Sequence, residues 1–92
     1  MATLTFSIKV PQVVDTYTVE LPYFCKYGPS SWAIFSETDI VEVNYYSTIK
    51  SACIFKKDRL PSDLEKFEVE TITREQFMDD YNRAIGLITE SL

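Results

Sequence analysis

The run Ile72-Thr73-Arg74-Glu75-Gln76-Phe77 decides how this chain folds, because one periodicity ends there and another begins. Thr73 is placed as a helix N-cap. Its hydroxyl can accept from the backbone N–H of Gln76, and the Gln76 side chain can accept from the N–H of Thr73, the reciprocal arrangement of a capping box. Ile72 and Phe77 occupy the hydrophobic-staple positions on either side, and Glu75 meets the positive end of the helix in its first turn. Phe77, Tyr81, Ala84, Ile85, Ile88 and Leu92 then recur at helical spacing, while Glu75, Asp79, Asn82, Arg83 and Glu90 face away. The spacing predicts an amphipathic helix from 74 to about 91. Gly86 costs such a helix about 1 kcal/mol, yet the stripe continues past it, so the helix is read through it rather than ending there. Alone in water this helix is marginal; it needs a surface to lie on.

Everything before residue 72 supplies that surface. Leu4, Phe6, Ile8 and Val10 alternate with Thr3, Thr5, Ser7 and Lys9, a half-buried strand that Pro11 ends. Tyr17, Val19 and Leu21 repeat the pattern, and the segment around Asp15 can close a hairpin. Pro22, with no N–H to give, should interrupt the second strand before 23–26 resumes. Gly28-Pro29-Ser30 is a strong turn signal. Segments 31–36 and 40–46 read as a second hairpin around Glu37, Thr38 and Asp39. Both arms are apolar on both faces, as expected of central or doubly covered strands. Segment 52–57 is a further strand closed by a turn containing Pro61, and Phe67 with Val69 permits one more. The expected fold is therefore α+β: an antiparallel sheet of four to six strands over residues 3–71, with one C-terminal amphipathic helix packed on it. The whole of 1–92 is read as a single domain, since no linker, repeat or low-complexity tract divides it.

Composition narrows function mainly by exclusion. The chain has 92 residues and a net charge of −5. Residues 1–57 hold five acids and five bases, whereas 58–92 hold nine acids and four bases, so the surplus lies entirely in the last third. That field repels a phosphate backbone, and the one basic group, Lys56, Lys57 and Arg59, is interrupted by Asp58; direct nucleic-acid binding is not expected. With no histidine, Ser-His-Asp and Cys-His catalysis within the chain are excluded, and so is the commonest metal ligand. Two glycines cannot build a phosphate-cradling loop. Cys25 and Cys53 match no metal spacing, and their apolar neighbours make them buried reduced thiols; the alternative, a bridge between strands, belongs to an exported protein. The first residues form no signal peptide and no stretch reaches membrane-spanning length, which makes the cytoplasm the expected compartment. No cofactor or metal is expected.

Aromatic residues give the positive lead. Six Phe, six Tyr and one Trp exceed what a core of this size places easily. Tyr and Trp serve well at the centre of protein contacts, so Trp32, Tyr45, Tyr46 and Tyr23 are the candidate contact residues. The adjacent Asp79 and Asp80 on the predicted helix are added as an acidic contact. They project about 100° apart and do not form a catalytic pair. The reading is a small non-enzymatic interaction module or homo-oligomeric subunit, whose partner is another protein or a second copy, a homodimer by edge pairing included. Two alternatives stand beside it: an acidic inhibitor occupying a basic nucleic-acid site on another protein, and a small enzyme with a carboxylate- or thiol-based site.

Overall fold

In the computed structural model, residues 2–9, 13–65 and 69–90 are described. The chain runs β1 (Thr3–Lys9), β2 (Val13–Glu20), β3 (Tyr23–Tyr27), β4 (Ser30–Ser36), β5 (Asp39–Tyr46), β6 (Ser51–Lys57), a single-turn α1 (Ser62–Glu65), β7 (Glu70–Thr71) and α2 (Arg74–Glu90). The fold is α+β and every strand pairing is antiparallel. The strands, however, form two sheets. One is the β1–β2 hairpin; the other has five strands in the order β6-β5-β4-β3-β7.

Pro22 marks the separation. A proline has no N–H for a ladder, and at the cis Leu21–Pro22 peptide the chain leaves the hairpin and enters the larger sheet. The N–H of Leu21 still bonds the carbonyl of Ala2 at 2.9 Å, which holds the base of the hairpin closed. Tyr27 and Ser30 face each other across a two-residue turn in which Gly28 takes a φ of 58°, a left-handed value that glycine reaches without a Cβ clash.

The five-stranded sheet is covered on both faces. On one, Cys25, Trp32, Ile34 and Ile40 pack with Leu4 of the hairpin and Leu64 of α1; Phe6, Val19, Leu21, Tyr23, Leu60 and Val69 close the margin. On the other, Ala33 and Val43 meet Ile72, Phe77 and Ala84, with Phe24, Val41, Ala52, Ile54 and Tyr81 around them. Strand alternation explains the division, since Trp32 and Ile34 point one way and Ala33 the other. The smallest extent of the molecule, 21 Å, matches two interlayer spacings of about 10 Å.

The capping box forms as its sequence requires. The N–H of Gln76 donates to Thr73 Oγ1 at 3.1 Å, and the N–H of Thr73 donates to Gln76 Oε1 at 2.8 Å. Ile72 and Phe77 share one buried cluster, and the Ile72 N–H bonds the Phe24 carbonyl, pinning the helix entry to β3. The helix continues through Gly86, which is exposed and has open space where a Cβ would stand, so it is not there for a close approach to the sheet.

Four expectations change. Ile85 and Ile88 are 40% and 36% exposed, because the buried line runs through Phe77 and Ala84 and leaves Ile85 on a flank. Cys53 is exposed on the last strand, while Cys25 is buried; no disulfide joins them. The segment after β6 contains a helical turn as well as a bend, and its Leu64 enters the core. The hairpin forms a second sheet instead of extending the first. Val10, Pro11, Phe67 and Leu92 lie outside the described residues.

Two stability results follow from the packing. Phe77→Ala removes a 96%-buried ring and should cost about 3–5 kcal/mol in denaturant titration, whereas Ile85→Ala should cost less than about 1 kcal/mol. Gly86→Ala should stabilise the protein by about 1 kcal/mol, read as a raised denaturation midpoint at unchanged slope.

Candidate interaction surface

The two covers of the large sheet are offset. The hairpin and α1 bury Cys25, Trp32, Ile34 and the Ile40 end of β5, whereas α2 leans most on β6 and β5 and least on β3. On the hairpin side, the outer part of β5 and all of β6 are therefore left open. Strand alternation puts Glu42, Asn44 and Tyr46 of β5, and Cys53, Phe55 and Lys57 of β6, on that open area. Tyr46 and Phe55 are 40% and 42% exposed, and Tyr27 stands exposed at the end of β3.

A chain of hydrogen bonds lies where the open area meets the core. Ser30 Oγ donates to Asn44 Oδ1 at 2.6 Å, Asn44 Nδ2 donates to Glu42 Oε2 at 3.0 Å, and Trp32 Nε1 donates to Glu42 Oε1 at 2.7 Å. Each oxygen of the Glu42 carboxylate thus has a donor. Phe55 stands opposite Glu42 in the ladder, and the Lys57 ammonium sits 5.0 Å from its ring centroid, within cation–π range. A shallow hollow of about 280 Å³ continues from Trp32, Glu42 and Lys57 to Asp58, Arg59, Leu60 and Pro61.

The free edge of the sheet borders the same area. Among the described residues only β5 pairs with β6, so the outer N–H and C=O groups of a seven-residue strand face outward. At the opposite edge β7 has two residues, too few to offer a comparable template. Lys56 reaches back to Asp39 at the start of β5 and forms an ion pair with it.

The six residues singled out in the sequence do not converge. Trp32 is 3% exposed and acts from beneath the surface through Glu42. Tyr46 lies on the open area itself. Tyr45, one residue earlier, points to the helix side and is half-buried. Tyr23 lines an apolar cleft of about 160 Å³ with Phe6, Ile8, Tyr17, Val19, Val69 and Thr71. Its hydroxyl hydrogen-bonds that of Thr71 at 2.8 Å, and burial pushes the phenol pKa above its ordinary value despite that bond. Asp80 accepts from Ser31 Oγ at 2.9 Å and lies 3.6 Å from Arg83, so it joins helix to sheet. Asp79 shares a polar cleft with Lys26, Gln76, Asp80 and Arg83, where two cations stand among the acids.

Phe55, Cys53, Met78, Ile85 and Ile88 are among the exposed apolar residues that the sequence reading passed over or placed in the core, as are Phe35 and Ile49. One signal could have found the first two: 52–55 is apolar on both faces and is followed at once by Lys56 and Lys57. Natural edges are commonly guarded with lysines in this way. Among the described residues no three acidic or cysteine side chains gather in a way that could hold a metal ion, and no helix is long and apolar enough to cross a membrane. No protein-family model, curated protein or solved structure matches this chain.

Glu42 should be structurally indispensable to its neighbour. Glu42→Ala leaves the buried Trp32 N–H without its acceptor and should cost about 1–3 kcal/mol, while Glu42→Gln, which keeps an acceptor, should cost clearly less; thermal unfolding of the three proteins makes the comparison.

Proposed function

We propose that this protein is a non-enzymatic interaction module whose contact surface is the β6 side of the large sheet. One observation carries the reading: an edge of seven residues, unpaired among the described residues, borders an open sheet area bearing exposed Phe55 and Tyr46. Edges of that length are templates for backbone pairing, and aromatic side chains beside them supply contact area at low rotamer cost. The hydrogen-bond chain beneath the aromatics supports the same reading. It fixes Glu42 and Asn44 before any partner arrives, so little order is left to be imposed on binding.

The enzyme alternative has less behind it. The hollow beside Trp32 contains a carboxylate already engaged by two donors, and the thiol of Cys53 stands on an open strand rather than in a cleft. The acidic-inhibitor alternative is weakened by Lys26 and Arg83 beside Asp79 and Asp80, which neutralise the helix flank it would use.

The test is capture from the host's lysate on immobilised wild-type protein and on a Tyr46→Lys/Phe55→Glu variant with an unchanged circular-dichroism spectrum. The expected result is a protein, another or the same chain, retained stoichiometrically by the wild type and at least tenfold less by the variant. Equal retention by both, or no retained protein at all, would remove this surface from consideration.

A further inference from the structure

Resting on that reading, we infer that the partner is a second copy of this chain, joined β6 to β6 across a two-fold axis into one ten-stranded antiparallel sheet. Directly opposite residues of an antiparallel pair share a face, so a strand paired with its own copy about an axis normal to the sheet must set some residue against itself. Centring on Ile54 pairs all seven residues of β6: Ser51 with Lys57, Ala52 with Lys56, and Cys53 with Phe55. Centring on Cys53 or Phe55 leaves two residues of each strand unpaired, and the Cys53 register also sets Lys50 against Lys56. The Ile54 register instead brings Lys50, in the turn just before β6, near Asp58 of the other copy, in the bend just after it, at both ends of the paired strands. Opposite charges at both ends favour this register over its neighbours.

The helix supplies an independent observation. Asp80 bonds Ser31, and Gln76, Asp79 and Arg83 share a cleft with Lys26 of β3, which fixes the flank of α2 that looks toward β3. At about 100° per residue, Met78 and Ile85 then lie on the opposite flank, the one turned away from β3, with Ile88 between that flank and the sheet. These three are 38%, 40% and 36% exposed, a group of apolar side chains with no cover. Pairing through β6 places the two helices on the same side of the joined sheet, one on each side of the axis. α2 leans most on β6 and next on β5, so its β6-side flank is turned toward the same flank of the copy across the axis. One operation thus covers the open edge, the Met78–Ile85–Ile88 flank and, on the opposite face, Phe55 with the partner's Cys53. Edge pairing alone buries little side-chain area; the helix contact adds the apolar part that a stable interface of about 1,200 Å² or more needs.

Sedimentation equilibrium tests the assembly, and charge exchange tests its register. The wild type should sediment at twice 10.7 kDa in the micromolar range. A bis-maleimide of roughly 8 Å reach should join the two copies through Cys53, whose copies stand diagonally across the pair about 7–8 Å apart, while fully buried Cys25 stays unmodified. Phe55→Glu and Ile85→Glu, both at exposed positions, should each raise the dissociation constant at least tenfold with the circular-dichroism spectrum retained. Lys50→Glu should weaken the dimer several-fold and Lys50→Glu/Asp58→Lys should restore it. Three outcomes overturn the inference: a monomer up to several hundred micromolar, a dimer indifferent to both glutamate variants, or a Lys50→Glu defect that Asp58→Lys deepens. A monomer that still captures a different protein through Phe55 overturns the second copy as partner while leaving the interaction surface standing; a monomer that captures nothing overturns both.

Discussion

Four consecutive residues at the middle of the large sheet, Ser31, Trp32, Ala33 and Ile34, are buried, and consecutive strand residues point to opposite faces. β4 therefore has to be covered twice, and the other elements are arranged around that need. The hairpin and Leu64 close over Trp32 and Ile34; α2 closes over Ala33. Ser31 is the one polar member, and its hydroxyl is satisfied by Asp80 from the helix. That bond ties α2 to β4, and a buried hydroxyl that lost its acceptor would carry the desolvation cost with nothing in return.

Two covers of limited width cannot close a five-stranded sheet. The hairpin is two strands wide and sits toward β3 and β4; α2 is one helix wide and sits toward β5 and β6. Their offset leaves the hairpin side of β5 and β6 open, and on the other face a polar cleft around Lys26 at β3. The second gap holds Lys26 and Arg83 beside Asp79 and Asp80, with Arg83 3.6 Å from Asp80 and Lys26 3.9 Å from Glu70. The first keeps Tyr46, Phe55 and a backbone edge unpaired among the described residues. Apolar area retained in one gap and neutralised polarity in the other is a difference between surfaces that the packing of the core alone does not require.

Local rules were the legible part of the sequence. The capping box at Thr73 and Gln76, the staple at Ile72 and Phe77, the Gly28 turn and the alternation of β4 and β5 each depend on residues a few positions apart, and each forms. What alternation cannot show is which neighbour covers a face. The two-sided apolarity of 31–36 implied two covers, but nothing in the spacing said that the β1–β2 hairpin would detach to become the second. The same limit misplaced Ile85: its angle to Phe77 fits a broad apolar stripe, whereas the observed buried line is narrower and runs through Phe77 and Ala84. Trp32 and Tyr46 were singled out together for their aromaticity, yet opposite burial gives them different parts, one supporting the surface and one lying on it.

The Trp32–Glu42 bond has an optical consequence. The chain contains one tryptophan, so its near-ultraviolet absorption and emission beyond the tyrosine band come from a single indole. That indole is shielded from solvent by the core, while its N–H ends on a carboxylate whose other oxygen is held by Asn44 of the open face. Whatever settles over Glu42 and Asn44 changes the polarity around that carboxylate and hence the field felt by the excited indole. The protein thus carries a built-in chromophore on the inner side of its open sheet area, sensitive to occupancy without itself being touched.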